Sequence, residues 1–359
     1  MKRAVIKVGS QVLCGSDGEL NVKVLAGLAA QIADLAAADW QIVLVSSGAV
    51  AAGAGVLRTE SGARRLGSIG DPVTRKQVLA ATGQVRLMET WGRFLGERNV
   101  AVAQVLATRS DFQTRRHYLN MRACIEALLQ AGVVPVVNEN DVVAVTELMF
   151  TDNDELAGLL SAMLNADLLC LLSTVPGVLA GDGQPIATWD EQRHQLEELV
   201  VEGTSTLGRG GMHSKISIAR KAAGLGIDVV IADGAAQDVL RNIVRGDDLG
   251  TRFASRRDTS PAKRWLATAA QSTTTGSVVV NDGAAAVLRD RNRLASLLPV
   301  GVETVSGTFE KGDVIEIRDT QGSVLGCGRT RYGHEKAREL QGQRGQKALI
   351  HYDYLYLSD

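Results

Sequence analysis

Residues 4–47, AVIKVGSQVLCGSDGELNVKVLAGLAAQIADLAAADWQIVLVSS, hold a short β-branched run, a longer helical period and a second β-branched run. AVIKV and QIVLVSS have the composition of strands. Between them Leu25, Leu28, Ile32 and Leu35 recur at helical spacing behind Asn21, a favoured N-cap residue, and predict one buried stripe on a helix over Val22 to Ala38. Strand, helix, strand in that order is a βαβ unit.

The same alternation continues in both composition and length. QIVLVSS runs into a small-residue segment, VAVAQVL precedes a helical pattern from Thr114 to Ala131, and VVPVVN, LLCLLS and DVVIAD follow. Strands that need helices on both faces make a mainly parallel sheet sandwiched between helices, so the fold class is α/β. Pro135 lies inside VVPVV, and a residue without an N–H predicts an edge position or a strand end there. Between Gly53 and Lys76 the stretch AGVLRTESGARRLGSIGDPVTR has no regular period, which predicts a long loop acting as a mobile flap.

At Ser255 to Thr275 the pattern changes to SRRDTSPAKRWLATAAQSTTT, polar and charged, and beyond it SVVV, DVIEI and ALIHY are short strands separated by glycines. The expected organisation is an α/β domain over 1–255, a linker over 256–274 and a small β-rich domain over 275–359.

Composition removes several function classes. A net charge of −1 gives no global footprint for nucleic acid or an anionic membrane, so any phosphate site must be local. The four cysteines lie far apart with no CxxC pair, which excludes a disulfide framework and a zinc site and leaves reduced, mostly buried thiols. Lys7 and Gly9 interrupt the apolar core that a signal peptide needs, and no later stretch stays apolar for a membrane span, so a cytoplasmic protein is expected.

Candidate ligand residues fall at the carboxyl ends of the strands, where open α/β sheets bind ligands. Lys7 ends the first strand beside Gly9 and is either a ligand cation or a strand lysine with its head in solvent. The turn VSSGAVAAG, containing Ser47, offers hydroxyls and N–H groups to an anion, or else serves close helix packing. Asn138, Asn140 and Asp141 follow a strand directly, and Asp152, Asn153 and Asp154 open a helix, where Asp152 or Asn153 is also an ordinary cap. Carboxylates and carboxamides so placed suit a small zwitterion. In TSTLGRGGMHSKISIARKAA a glycine loop precedes a helix whose first turn carries Lys215, so backbone N–H groups, the helix dipole and a cation converge on phosphate. Neither GxxxxGK[ST] nor an early GxGxxG is present, which excludes the P-loop and dinucleotide-binding readings.

In this order KVGSQVL, SSGAVAAG, NENDVV, TDNDELAGLLSAML and GRGGMHSK resemble the glutamate 5-kinases of the amino-acid kinase superfamily, and the tail from SVVVNDG through FEKGDVIEI to GCGRTRY resembles their PUA domain. The resemblance implies ATP-dependent phosphorylation of the γ-carboxylate of L-glutamate, with Mg2+ on the nucleotide. It implies that Lys7 and Lys215 neutralise the transferring group while Asp154 holds both. It assigns Ser47, Asp141, Asn153 and Asn138 to glutamate, and Lys7, Ser173, Thr174, Arg209, Gly210, Gly211, Met212, His213, Ser214 and Lys215 to the nucleotide. Ser173-Thr174 stands where the family commonly has Thr-Asp, and Leu179 where a tyrosine is frequent. Feedback inhibition by proline, a homo-oligomer and a glutamyl phosphate reductase partner are further implications.

Two rivals remain at this level, beside a structural or regulatory pseudokinase, which the presence of both lysines and Asp154 disfavours. An N-acetylglutamate or aspartate kinase would use the same lysines and glycine loops. An RNA-binding protein is the other, since PUA modules often bind structured RNA. From Thr275 to Asp359, however, 11 Lys or Arg stand against 11 Asp or Glu, with no excess of basic charge.

Overall fold

The computed structural model describes residues 1–15, 17–113, 115–143, 150, 152–181, 183–190, 193, 211–255, 276–290 and 295–357. They fall into two compact units, one of Met1–Arg109 with Met121–Asp258, the other of Ser110–Asn120 with Thr259–Asp359. The linker expected over 256–274 lies outside the described residues.

The first unit is built on a seven-stranded sheet of β1 (Lys2–Val8), β2 (Trp40–Ser46), β3 (Val102–Ala107), β4 (Val134–Glu139), β5 (Leu168–Ser173), β6 (Asp228–Asp233) and β7 (Thr251–Phe253), in the order β3-β4-β2-β1-β5-β6-β7. Every pairing is parallel except that of β7 with β6. The helices up to residue 245 are α1 (Ser10–Leu13), α2 (Val22–Ala37), α3 (Ala49–Val56), α4 (Glu60–Gly67), α5 (Pro72–Gly96), α6 (Arg109–Gln113), α7 (Arg115–Gln130), α8 (Asn153–Met163), α9 (Met212–Gly224) and α10 (Val239–Arg245); α6 beyond Arg109 and α7 as far as Asn120 belong to the second unit, the others to the first. The predicted alternation and the six predicted strands are therefore present. α2 buries Leu25, Leu28, Ile32 and Leu35, and the Asn21 side chain accepts from Val24 N–H as a cap. These residues join Ile6, Val8, Leu44, Val136 and Leu172 in one core.

Pro135 is accommodated at a strand end, not at an edge. β4 lies between β3 and β2, yet Pro135 is only its second residue, and pairing to β2 begins one residue later at Val136 with Leu44. The missing N–H therefore falls outside that ladder.

The expected flap over 54–75 is overturned, because the segment is helical: it holds the end of α3, all of α4 and the start of α5. Its caps are local and orthodox. Thr59 Oγ1 accepts from Gly62 N–H, Asp71 accepts from Val73 and Thr74 N–H, and Pro72 occupies the first turn of α5. The period was hidden because α3 packs by backbone contact instead of an apolar stripe. A Cβ on Gly83 of α5 would stand 1.9 Å from the Ala49 carbonyl oxygen, and one on Gly53 equally close to that of Leu79. Only glycine permits so close a crossing, so the packing reading of VSSGAVAAG holds alongside its role as a turn. Trp91 of α5 donates from Nε1 to Ser46 Oγ at 2.9 Å, both buried, and fixes the helix over the end of β2.

The second unit is β-rich, as expected. Its five-stranded sheet runs β12-β11-β10-β8-β9, with β8 (Gly276–Val280), β9 (Val302–Gly307), β10 (Val314–Arg318), β11 (Val324–Thr330) and β12 (Ile350–Leu357). The β8–β10 pairing is parallel and the others antiparallel. Helices α11 (Asp282–Arg289) and α12 (His334–Leu340) complete it around a core containing Val278, Phe309, Ile315, Ile317 and Ile350.

No helix among the described residues is long and apolar enough to cross a membrane. None of the cysteines is in a disulfide; Cys14, Cys170 and Cys327 are buried and Cys124 is exposed.

Candidate functional site

Lys7 lies near the carboxyl end of β1, whose neighbours β2 and β5 pair with it on both sides. Its side chain turns inward: the residue is 6% exposed, which removes the solvated-lysine alternative. The ammonium meets Asp154 Oδ1 at 2.7 Å, and Lys215 Nζ meets the other oxygen, Oδ2, at 3.0 Å. One fully buried carboxylate thus bridges two buried cations from three separate elements, β1, α8 and α9.

The opening of α8 explains how. Asp152 is its N-cap and accepts from Asp154 and Glu155 N–H, each at 3.0 Å. The cap reading therefore holds for Asp152, while Asn153 and Asp154, in the first turn, keep their side chains for other partners. Ser214 Oγ donates to Asp152 Oδ2 at 3.0 Å and ties the first turn of α9 to that of α8. Gly211 is the N-cap of α9 and makes no side-chain cap bond. Met212, His213 and Ser214 form the helix's first turn, and Lys215 follows at its inner side.

A second, uncharged chain of contacts leaves the same helix end. Asn153 Nδ2 donates to Ser47 Oγ at 2.8 Å and to Asn138 Oδ1 at 3.0 Å, and Asn138 Nδ2 donates to Gln84 Oε1 at 2.9 Å. Among the described residues Asn153 Oδ1 is buried without a donor, an arrangement costly enough to point to a ligand N–H or O–H. Gln84 also lines a cleft of about 380 Å3, together with Ala49, Ala80, Glu139, Asn140 and Asp141. Asp141 itself pairs with Lys76 Nζ at 2.7 Å.

Of the residues singled out in the sequence, the structure brings together Lys7, Asp154, Lys215, Ser47, Asn153, Asn138 and Ser214. Asp141 stands on the adjoining cleft. Ser173 closes β5, with its carbonyl accepting from Gly234 N–H at 2.8 Å, and Thr174 follows it; neither hydrogen-bonds the triad. Arg209 and Gly210 lie outside the described residues.

Residues 2–233 match the Amino acid kinase family, and residues 276–351 the PUA domain. A glutamate 5-kinase of Chlorobaculum tepidum is 44% identical over 359 residues, spanning 99% of this chain and 97% of that protein. The chain belongs to the glutamate 5-kinase family. Other relatives of that name are 39% identical in Bacteroides thetaiotaomicron, over 99% of this chain and 98% of the relative, and 38% identical in Dehalococcoides mccartyi, over 96% and 92%.

In this member of the glutamate 5-kinase family the electrostatics of the two neighbouring aspartates diverge. Burial pushes the Asp154 carboxyl up, but the charges of Lys7 and Lys215 and their contacts with it prevail and hold it below the ordinary carboxylate range. For Asp152, burial and then the charge of Asp154 push the carboxyl up, against the N–H of Glu155 and the Ser214 hydroxyl. Burial also pushes the Cys170 thiol up to about 12, so this thiol beneath the site is no nucleophile.

Sequence reasoning missed Gln84, Lys76 and the Arg109–Glu155 ion pair beside the triad. The first two lie on α5, whose start was hidden inside the supposed flap; the Asp71-Pro72 cap was the signal that would have found it. Arg109 follows β3 at the carboxyl end of the sheet, a position that gave a usable hint.

Proposed function

We propose that this chain transfers the γ-phosphoryl group of ATP to the γ-carboxylate of L-glutamate, giving L-glutamyl 5-phosphate and ADP, the first step of proline biosynthesis. The observation that carries the mechanism is the buried carboxylate of Asp154 shared by Lys7 and Lys215.

The acceptor oxygen is already anionic, so no general base is needed. It forms a new bond to the γ-phosphorus while the bond from that phosphorus to the β,γ-bridging oxygen breaks, and ADP leaves with the electron pair. The difficulty is the approach of an anion to a polyanion, and cations fixed in a dry site lower that barrier without reorganising. Asp154, its carboxyl held below the ordinary range, stays ionised and orients the two ammonium groups. Lys7 and Lys215 then neutralise the transferring group, and Asp154 acts as their positioning residue.

The nucleotide side is the first turn of α9, Met212 to Lys215 behind Gly211, with Ser173 and Thr174, where helix N–H groups suit phosphate; Arg209 and Gly210 are assigned to it by family resemblance. Among the described residues no group of three or more His, Cys, Asp or Glu is placed to hold a metal, and both Asp154 oxygens are occupied by lysines. Magnesium would enter with ATP as part of the substrate and would supply further neutralisation of the phosphate charge.

Ser47, Asn153, Asn138 and Asp141 hold glutamate. The unsatisfied Asn153 Oδ1 and the carboxylate of Asp141 both call for a donor such as an ammonium group. Proline carries the same ammonium and carboxylate and is the expected feedback inhibitor. The acyl phosphate is labile, which favours its direct handover to a glutamyl phosphate reductase, and the enzyme is proposed to be homo-oligomeric and cytoplasmic.

ATP consumption in Mg2+ with L-glutamate, N-acetyl-L-glutamate and L-aspartate tests the acceptor. Turnover with L-glutamate is expected; turnover only with the N-acetylated or shorter acid would move the activity elsewhere in the superfamily.

A further inference from the structure

The main-chain end of an amino acid carries one cation and one anion. In the proposed site Asp141 meets the ammonium group, which leaves the α-carboxylate in need of a cation. Lys7 and Lys215 are held on Asp154 at the phosphoryl end.

We propose that Lys76 receives the α-carboxylate of the substrate, exchanging its ion pair with Asp141 for one with the ligand. The proposal rests on the glutamate reading above. Three observations place Lys76 there. Its ammonium lies 2.7 Å from Asp141 Oδ1, so it stands where a substrate ammonium would pair. It is on the same face of α5 as Ala80 and Gln84, one and two turns further along, and both of those line the cleft that Asp141 lines. The neighbouring Gln77 donates from Nε2 to the Val142 carbonyl at 2.9 Å, which fixes the start of α5 against the turn carrying Asp141 independently of the ion pair.

The exchange conserves charge. Without substrate, Lys76 and Asp141 neutralise each other; with it, the ligand's ammonium takes Asp141 and its α-carboxylate takes Lys76, so one pair becomes two. The Lys76 side chain is 40% exposed against 13% for Asp141, so the lysine is the partner free to move. Its flexible stem lets the ammonium swing away from Asp141 while the helix stays in place.

The test compares L-glutamate with its α-amide, which keeps the ammonium and the γ-carboxylate but loses the α-carboxylate charge. In the unmodified protein the α-amide should show a KM about 10–100-fold higher, the worth of one charge-assisted hydrogen bond. Lys76→Met should raise the KM for glutamate by a similar factor, leave the KM for ATP within about twofold, and abolish the discrimination between glutamate and the α-amide. Lys76→Arg should restore most of it. Equal KM values for the two acceptors in the unmodified protein, which needs no variant, would overturn the proposal. So would Lys76→Met with unchanged discrimination, or with a lower KM for glutamate, which would make Lys76 only a competitor for Asp141. Absence of any glutamate turnover by the unmodified protein would instead sink the glutamate reading and this inference with it.

Discussion

Two lysine–aspartate pairs in this molecule share a separation of 2.7 Å and differ in nearly everything else. Lys7–Asp154 is buried, joined by a second cation, and tied to the cap of α8. Lys76–Asp141 lies at the rim of a cleft, with its lysine partly in water. Buried ions cannot be exchanged for water, so removing one partner strands the others. A pair half in solvent costs little to open. The first arrangement is suited to holding charge still during a reaction, the second to trading partners with a ligand.

Cutting each pair separates the two roles. Asp154→Ala leaves two buried ammonium groups without their counter-ion, and should cost about 3–5 kcal/mol of stability, the loss seen when one partner of a buried ion pair is removed. The same change should lower kcat by about 10²–10³, as loss of a fixed electrostatic element does. Denaturant unfolding and steady-state kinetics on the same preparation measure both. Lys76→Met should change stability by less than about 1 kcal/mol. Equal stability losses for the two variants would erase the distinction between the pairs.

A smaller effect is expected from the uncharged chain between them. Asn153→Ala removes the bonds to Ser47 and Asn138 and the buried acceptor Oδ1. It should raise the KM for glutamate about 5–10-fold, the equivalent of roughly 1–1.5 kcal/mol, with the KM for ATP unchanged. A selective rise in the ATP constant would move Asn153 to the nucleotide side.

The smallest effect is the pH dependence of the two adjacent aspartates. The Asp154 carboxyl is lowered by folding, so its contribution is present above the unfolded value of about 4 and is lost as pH falls through the lowered value. The Asp152 carboxyl is raised, so its contribution is present below about pH 4 and is lost as pH rises through the raised value. Asp152→Asn keeps a capping side chain and removes the titration. Its unfolding free energy should therefore decline less than that of the unmodified protein as pH rises from 4, and an identical pH profile would contradict this.

Legibility from sequence followed the kind of force at work. The parallel sheet was readable because buried strands are continuous apolar runs, and α2 because four leucines and isoleucines keep a helical period behind Asn21. Lys7, Asp154 and Lys215 were readable as residue types at strand and helix ends, although their sharing of one carboxylate appears only once β1, α8 and α9 converge. The helices over 54–75 were missed because α3 meets α5 through glycine and alanine backbone, which leaves no hydrophobic stripe to count. That miss concealed the start of α5, and with it Lys76. The role of Pro135 required the register, since its tolerance depends on which partner strand begins after it.

If the buried triad transfers a phosphoryl group to a carboxylate, an acyl phosphate must form. The direct measurement is trapping with hydroxylamine in the presence of ATP, Mg2+ and L-glutamate, for the unmodified protein and for Lys215→Ala. Glutamate-dependent hydroxamate that falls by about 10²–10³ in the variant is the predicted result. Hydroxamate formed equally by both proteins, or ATP consumed by the unmodified protein with no hydroxamate, would contradict it.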